Sequence, residues 1–239
     1  MLLGEQVSAV SSFCWFGART RSFARCVAVT FFLVAFAGCS TKSFTDPIVG
    51  PDHVLHNVYH NEAVLPGSLK RVAVLPLSYN DQRSTGPSAV ETLQPIFQAE
   101  LTKVARFESY FVQPSQLALW TGKERWDDFD ELPASFLKEV AERTGCDGVM
   151  FSRISNFKAY PPMVIGWRMR LVSNEAGQIW AADEIFDAAD QAVSNSARRY
   201  NRGRPRNNPV LEDSRSILLS PSEFGQYTLA SVLGTLPMR

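Results

Sequence analysis

The chain has three histidines, and they stand close together as His53, His56 and His60. Neutral imidazole is a good ligand for Zn²⁺ and its transition-row neighbours. On a helix the spacing i, i+3, i+7 puts all three on one face, with Val54, Leu55, Val58 and Tyr59 opposite. Two chemistries follow. The rings could close on a metal, which would give a metal-dependent periplasmic enzyme. Or the segment is a short amphipathic helix with its apolar side on a domain and its imidazoles in water. Pro47, Gly50, Pro51 and Pro66 frame it as a linker, and a linker preorganises ligands poorly. The expectation is therefore no metal and no cofactor, with His53, His56 and His60 as the weak candidates. The acids Asp127, Asp128, Asp130 and Glu131 could attract Ca²⁺. They lack the glycine and terminal glutamate of a calcium loop, and read as solvated acids ahead of a helix start. Cys146 would need a base to act as a nucleophile, and no histidine follows His60. It reads as a structural thiol, and no catalytic residue is assigned.

Arginine is the other concentrated group. Arg198, Arg199, Arg202, Arg204 and Arg206 follow one another with no acid between Asp190 and Glu212. Such a run could bind anionic polymers or lipid head groups, or could be a solvated loop at a helix end that favours cations. Together with Trp120 and Trp126 these arginines are the candidate residues for partner contacts. The whole chain balances 24 basic against 24 acidic side chains. That balance gives no overall case for nucleic acid.

The elements that would position these residues begin with an export signal. Arg19, Arg21 and Arg25 precede an apolar run from Cys26 to Ala37, which is the layout of a secretory signal. The run is too short for a membrane span of about 20 residues. Its ending, Phe36-Ala37-Gly38-Cys39, resembles a bacterial lipobox, in which the cysteine is acylated and becomes the first mature residue. The resemblance implies lipidation of Cys39, a membrane anchor, and removal of residues 1–38. Ser40 in the following position implies sorting to the periplasmic face of the outer membrane. The start of the signal is unusually long, and the start codon reads as over-extended. With Cys14 and Cys26 in the signal and Cys39 acylated, only Cys146 remains, so no internal disulfide is expected.

Residues 39–68 read as a tether and 69–239 as one α/β domain. Arg71 to Leu77 is a nearly continuous apolar run, as in a strand buried on both faces. A helix follows, with Leu93, Ile96, Phe97, Leu101 and Val104 on one face and Pro95 in its first turn or kinking it. Phe107–Gln113 is a second strand. Helices over 114–121 and 133–144 end at Gly122 and Gly145. Strands then cover Val149–Ile154, Ile165–Leu171 and Gln178–Asp187, the last two forming a hairpin. Asp190 caps a helix. Ser220-Pro221-Ser222-Glu223 opens the last one with a capping box and a first-turn proline. The expected fold is an α/β (α+β) sandwich with a mixed sheet of about five strands.

Four stretches resemble one group of bacterial envelope lipoproteins. They are Lys70-Arg71-Val72-Ala73-Val74-Leu75-Pro76-Leu77, Leu101-Thr102-Lys103-Val104-Ala105-Arg106-Phe107, Thr144-Gly145-Cys146-Asp147-Gly148-Val149-Met150 and Gly177-Gln178-Ile179-Trp180. The group includes the curli-secretion channel lipoprotein, the lipoprotein activators of penicillin-binding proteins and the N-terminal domain of TolB. The resemblance covers roughly Leu69 to Asp187. It implies a non-enzymatic protein-interaction module in envelope assembly or cell-wall synthesis, with envelope proteins or peptidoglycan as partners. An oligomeric secretion component is the alternative within that group. A membrane pore does not fit, because Ser155–Met163 is too short to supply transmembrane strands.

Overall fold

A computed structural model describes residues 47–79, 86–127, 130–204 and 213–239. The strands are β1 (Val58–His60), β2 (Arg71–Val74), β3 (Ser78–Tyr79), β4 (Glu108–Phe111), β5 (Gly148–Lys158), β6 (Val164–Ser173) and β7 (Gly177–Asp187). They form one mixed sheet in the order β1-β7-β6-β5-β2-β4, with β3 paired to β5 off that path. The pairings β2–β4, β2–β5 and β3–β5 are parallel; β5–β6, β6–β7 and β7–β1 are antiparallel. The helices are α1 (Gly86–Val104), α2 (Pro114–Thr121), α3 (Phe136–Thr144), α4 (Gln191–Arg202) and α5 (Pro221–Leu233), with a 3₁₀ turn at Ser214–Leu218. None of the described helices is long and apolar enough to cross a membrane.

Period-two alternation decides which residue enters which core. Met150 and Ile154 of β5 and Ile165, Trp167, Met169 and Leu171 of β6 face α1, α4 and α5 in the larger core. Val149 and Phe151 of β5 and Ala73 of β2 face the other way, onto Leu117, Phe136 and Val140 of α2 and α3. The two fully buried indoles each find a hydroxyl: Trp167 Nε1 donates to Thr228 Oγ1 at 2.9 Å and Trp180 Nε1 to Thr235 Oγ1 at 3.1 Å. Those bonds remove the cost of an unpaired buried N–H.

The Gly145–Gly148 turn shows why its residue types are needed. Gly145 ends α3 in the left-handed region, φ 66°, which a side chain rarely adopts. Asp147 Oδ2 accepts from the backbone N–H groups of Lys70 (2.8 Å) and Arg71 (2.9 Å), fixing where β2 starts beside β5. A Cβ on Gly148 would come within 2.6 Å of the Val172 carbonyl. The stretch is a device for joining three strands.

All five expected strands are present, and β1 and β3 extend the sheet to seven. Pro95 lies in the middle of α1 and not in its first turn. The third-strand expectation grows to β5's full length, through a register shift between Ile154 and Asn156. There Ser155 and Asn156 crowd Gly166. The amphipathic helix expected around His53–His60 is replaced by extended chain and β1, whose Val58, Tyr59 and His60 sit opposite Ala182, Ala181 and Trp180 of β7. Edge pairing satisfies the backbone of this segment without a helix.

Candidate functional site

The histidine and arginine groups, separate in sequence, meet at one place. Extended residues 49–57 run across α4 and onto the end of β7. Asn195 Nδ2 donates to the carbonyls of Val49 (3.0 Å) and Pro51 (3.3 Å). Asp52 accepts from Ser196 Oγ at 3.0 Å and is ion-paired with Arg199, whose Nη2 also reaches the Gly50 carbonyl at 3.0 Å. The Arg199 contact first, then the Ser196 hydroxyl, holds the Asp52 carboxyl below the ordinary carboxylate range despite partial desolvation. The His53 N–H donates to Ser196 Oγ at 2.8 Å. Its ring packs edge-on against Phe186 at 5.2 Å, with Nε2 3.5 Å from Glu184 Oε1. The other Glu184 oxygen accepts from the His56 N–H at 3.2 Å. Backbone bonds from Asp183 N–H to the Asn57 carbonyl and Asn61 N–H to the Ile179 carbonyl carry the contact along β7.

The three imidazoles do not converge. His53 is turned to Glu184 and Phe186, and the His60 ring lies 2.6 Å from the Thr235 carbonyl. Among the described residues no group of three His, Cys, Asp or Glu side chains is placed to hold a metal ion. The acids Asp127 and Asp130 are spent locally. Asp127 Oδ2 accepts from Arg153 at 2.8 Å and Asp130 from Lys123 at 2.7 Å. Burial raises the Asp130 pKa, but the Lys123 contact and the Asp127 N–H together hold it low. Cys146 is buried and unpaired by disulfide, and desolvation pushes its thiol up, away from the reactive thiolate.

Of the candidate contact residues, Arg198 and Trp126 are buried, and the other described ones are half-buried or exposed. Arg198 is buried and donates from Nε to Ser214 Oγ at 3.1 Å, because it shares the inward face of α4 with Ala197 and Asn201. Arg199 holds the Asp52 segment. Arg204 lies over the Tyr200 ring at 5.7 Å. Arg202 is exposed. Trp126 is buried rather than presented, its ring tilted against Phe136 at 5.2 Å with Nε1 donating to Thr121 Oγ1 and Lys123 over its ring. Trp120 is half-buried against the same core. Cys39 and Arg206 lie outside the described residues. Sequence reasoning missed Asp52, Glu184, Asn195 and Ser196, the residues that hold the two groups together. They lie on three separate stretches, the 49–57 segment, β7 and α4, and no local pattern links them.

The arrangement is that of an α/β layered domain whose polar clusters bind its own chain. No family model matches the chain, and no curated protein matches it. Among solved structures it resembles the PelC dodecamer from Paraburkholderia phytofirmans, at 13% identity over 77% of this chain and 96% of that one, TM-score 0.41. It resembles the lipoprotein GNA1162 from Neisseria meningitidis, at 12% identity over 49% of this chain and 79% of that one, TM-score 0.35. A third is the LpoB C-terminal domain from Escherichia coli, at 21% identity over 49% and 82%, TM-score 0.32.

Proposed function

We propose that the chain is an outer-membrane lipoprotein, anchored at the periplasmic face through acylated Cys39, whose domain is a non-enzymatic interaction module in envelope assembly or cell-wall synthesis. The observation that carries this reading is the basic flank, apolar run and Phe36-Ala37-Gly38-Cys39 ending. Soon after that ending, at Val49, the chain is already bound to α4. Two acyl groups give firm anchoring, since each buried methylene contributes about 0.8 kcal/mol. Two of the histidines that would have built an enzyme have separate partners, the His53 ring Glu184 and Phe186 and the His60 ring the Thr235 carbonyl. Residues 69–239 remain one α/β domain in this reading, with residues 39–68 leading to it from the membrane.

Radiolabelled palmitate tests the anchor: it enters the wild-type protein and not Cys39→Ser, and the labelled protein sediments with outer membranes. Recovery of full-length, unlabelled protein from cytosol overturns the reading. Crosslinked pull-down of the lipidated protein from its own envelope tests the module. It recovers envelope proteins or peptidoglycan fragments; a clean pull-down with no envelope partner removes that part.

A further inference from the structure

The end of the sheet nearest the first described residues carries exposed apolar surface. The turn between β5 and β6 lies there, because Lys158 pairs with Val164 and Val164 with Asp187 at the end of β7. The Ala188 N–H closes that end on the Met163 carbonyl. Tyr160 at the tip of the turn is 80% exposed, followed by exposed Pro161 and Pro162. Ile185, near the end of β7, is 53% exposed. The 49–57 segment reaches the sheet at this same end, with His53 against Phe186, and leaves Val49 73% and Val54 62% exposed.

We infer that this end, led by Tyr160-Pro161-Pro162, sits on the surface of the bilayer that holds Cys39. The inference rests on the lipoprotein reading. Three physical points favour a lipid surface as the occupant. Tyrosine belongs at the head-group level, with an apolar ring and a polar tip. Proline has no N–H, so the tip brings fewer backbone donors that lipid would leave unpaired. The acids at this end are already engaged: Asp52 by Arg199 and Ser196, Asp187 by the Ala189 N–H, Asp190 by the Ala192 N–H. Exposed Lys158 lies at the foot of the tip, where its stem can lie along apolar surface while its ammonium reaches phosphate. The anchor need not be strong at this contact, because a short link to Cys39 keeps the local concentration of membrane high.

The link alone does not decide which end touches. Ten residues from Cys39 to Val49 span at most about 35 Å, and the two ends of the ten-residue β6 lie about 33 Å apart. The test therefore compares Tyr160→Cys with Ala176→Cys, the exposed turn at the opposite end of the same strands. Buried Cys146 and acylated Cys39 leave the new thiol to take a bimane label. The lipidated full mature chain is bound to vesicles of phosphatidylethanolamine and phosphatidylglycerol carrying a doxyl-lipid quencher. The expected result is flotation of both variants, with quenching at residue 160 about threefold that at residue 176, as for an interfacial aromatic position. Flotation with equal quenching overturns the seat and spares the anchor. Failure to float overturns both. Quenching at 160 that persists when phosphatidylglycerol is omitted supports apolar seating over attraction to anionic lipid.

Discussion

The two halves of the sheet are built differently. The parallel half, β4, β2 and the start of β5, has a core on each face, and after Arg71 β2 reads Val72-Ala73-Val74, all buried. The antiparallel half, β6, β7 and β1, is covered by α1, α4 and α5 on one face, and its other face carries Arg168, Arg170, Ala181, Asp183 and Ile185. On that face Arg153 stands directly opposite Arg168, a like-charge pair that would destabilise the ladder. Asp127 and Asp183 flank the pair, each bonded to one arginine, at 2.8 and 2.7 Å. The difference teaches that one sheet can be closed on both faces in one half and on a single face in the other. The 49–57 segment joins the antiparallel half on its helix-covered face, at Glu184 and Phe186.

That contrast can be broken at its strongest point first. Trp167→Ala removes a fully buried indole from the covered face of β6, and is expected to cost about 3–5 kcal/mol. Ile185→Ser, on the bare face of the adjacent strand, stays within about 0.5 kcal/mol. Urea unfolding of the two variants checks both, and similar losses would mean the bare face is packed. Gly148→Ala forces a Cβ onto the Val172 carbonyl where the two halves join, with an expected loss of about 1–3 kcal/mol. Thermal unfolding with a near-wild-type midpoint would show that the junction can yield.

Charge offers smaller effects. Asp183→Ala leaves Arg168 facing Arg153 with one acid fewer, for a loss of up to about 1 kcal/mol at low salt. The loss shrinks when the measurement is repeated at about 1 M salt. A salt-independent loss would assign Asp183 a packing role. Asp52 gives the subtlest test. Its folded-state carboxyl is more acidic than in the unfolded chain, with Arg199 the main cause. Its contribution is therefore complete above the unfolded value, near pH 4, and is lost as pH falls through the lower folded value. Amide protection factors at His53 and His56, corrected for the intrinsic pH dependence of exchange, should fall as pH drops through that window and stay level between pH 5 and 7. Asp52→Asn should show the faster exchange already at pH 6.

The sequence reveals the covered half better than the open one. The β2 run, the Gly122 and Gly145 helix ends and the Ser220 cap are local signals, each complete within a few residues, and all appear in the structure. β1 is three residues long and finds its partner more than a hundred residues later, so no local pattern marks it. The arginine run misled for a related reason. Counting charge does not show that Arg198 lies on the same α4 face as Ala197 and Asn201, and so faces Ser214. Trp126 is a contact candidate by residue type, since aromatics favour interfaces, yet its ring is buried beside Phe136 of the following helix.

Residues from the two sides of the chain close on each other around the C-terminal end of α5. Val64 bridges Met238, the Leu65 N–H donates to the Met238 carbonyl, and the Arg239 guanidinium reaches the Arg106 carbonyl. A polypeptide made amino end first would hold Val64 and Leu65, just past β1, without their partner until residue 238 emerged. Closure of the domain would then be a single late step, taken only after the last helix has been made.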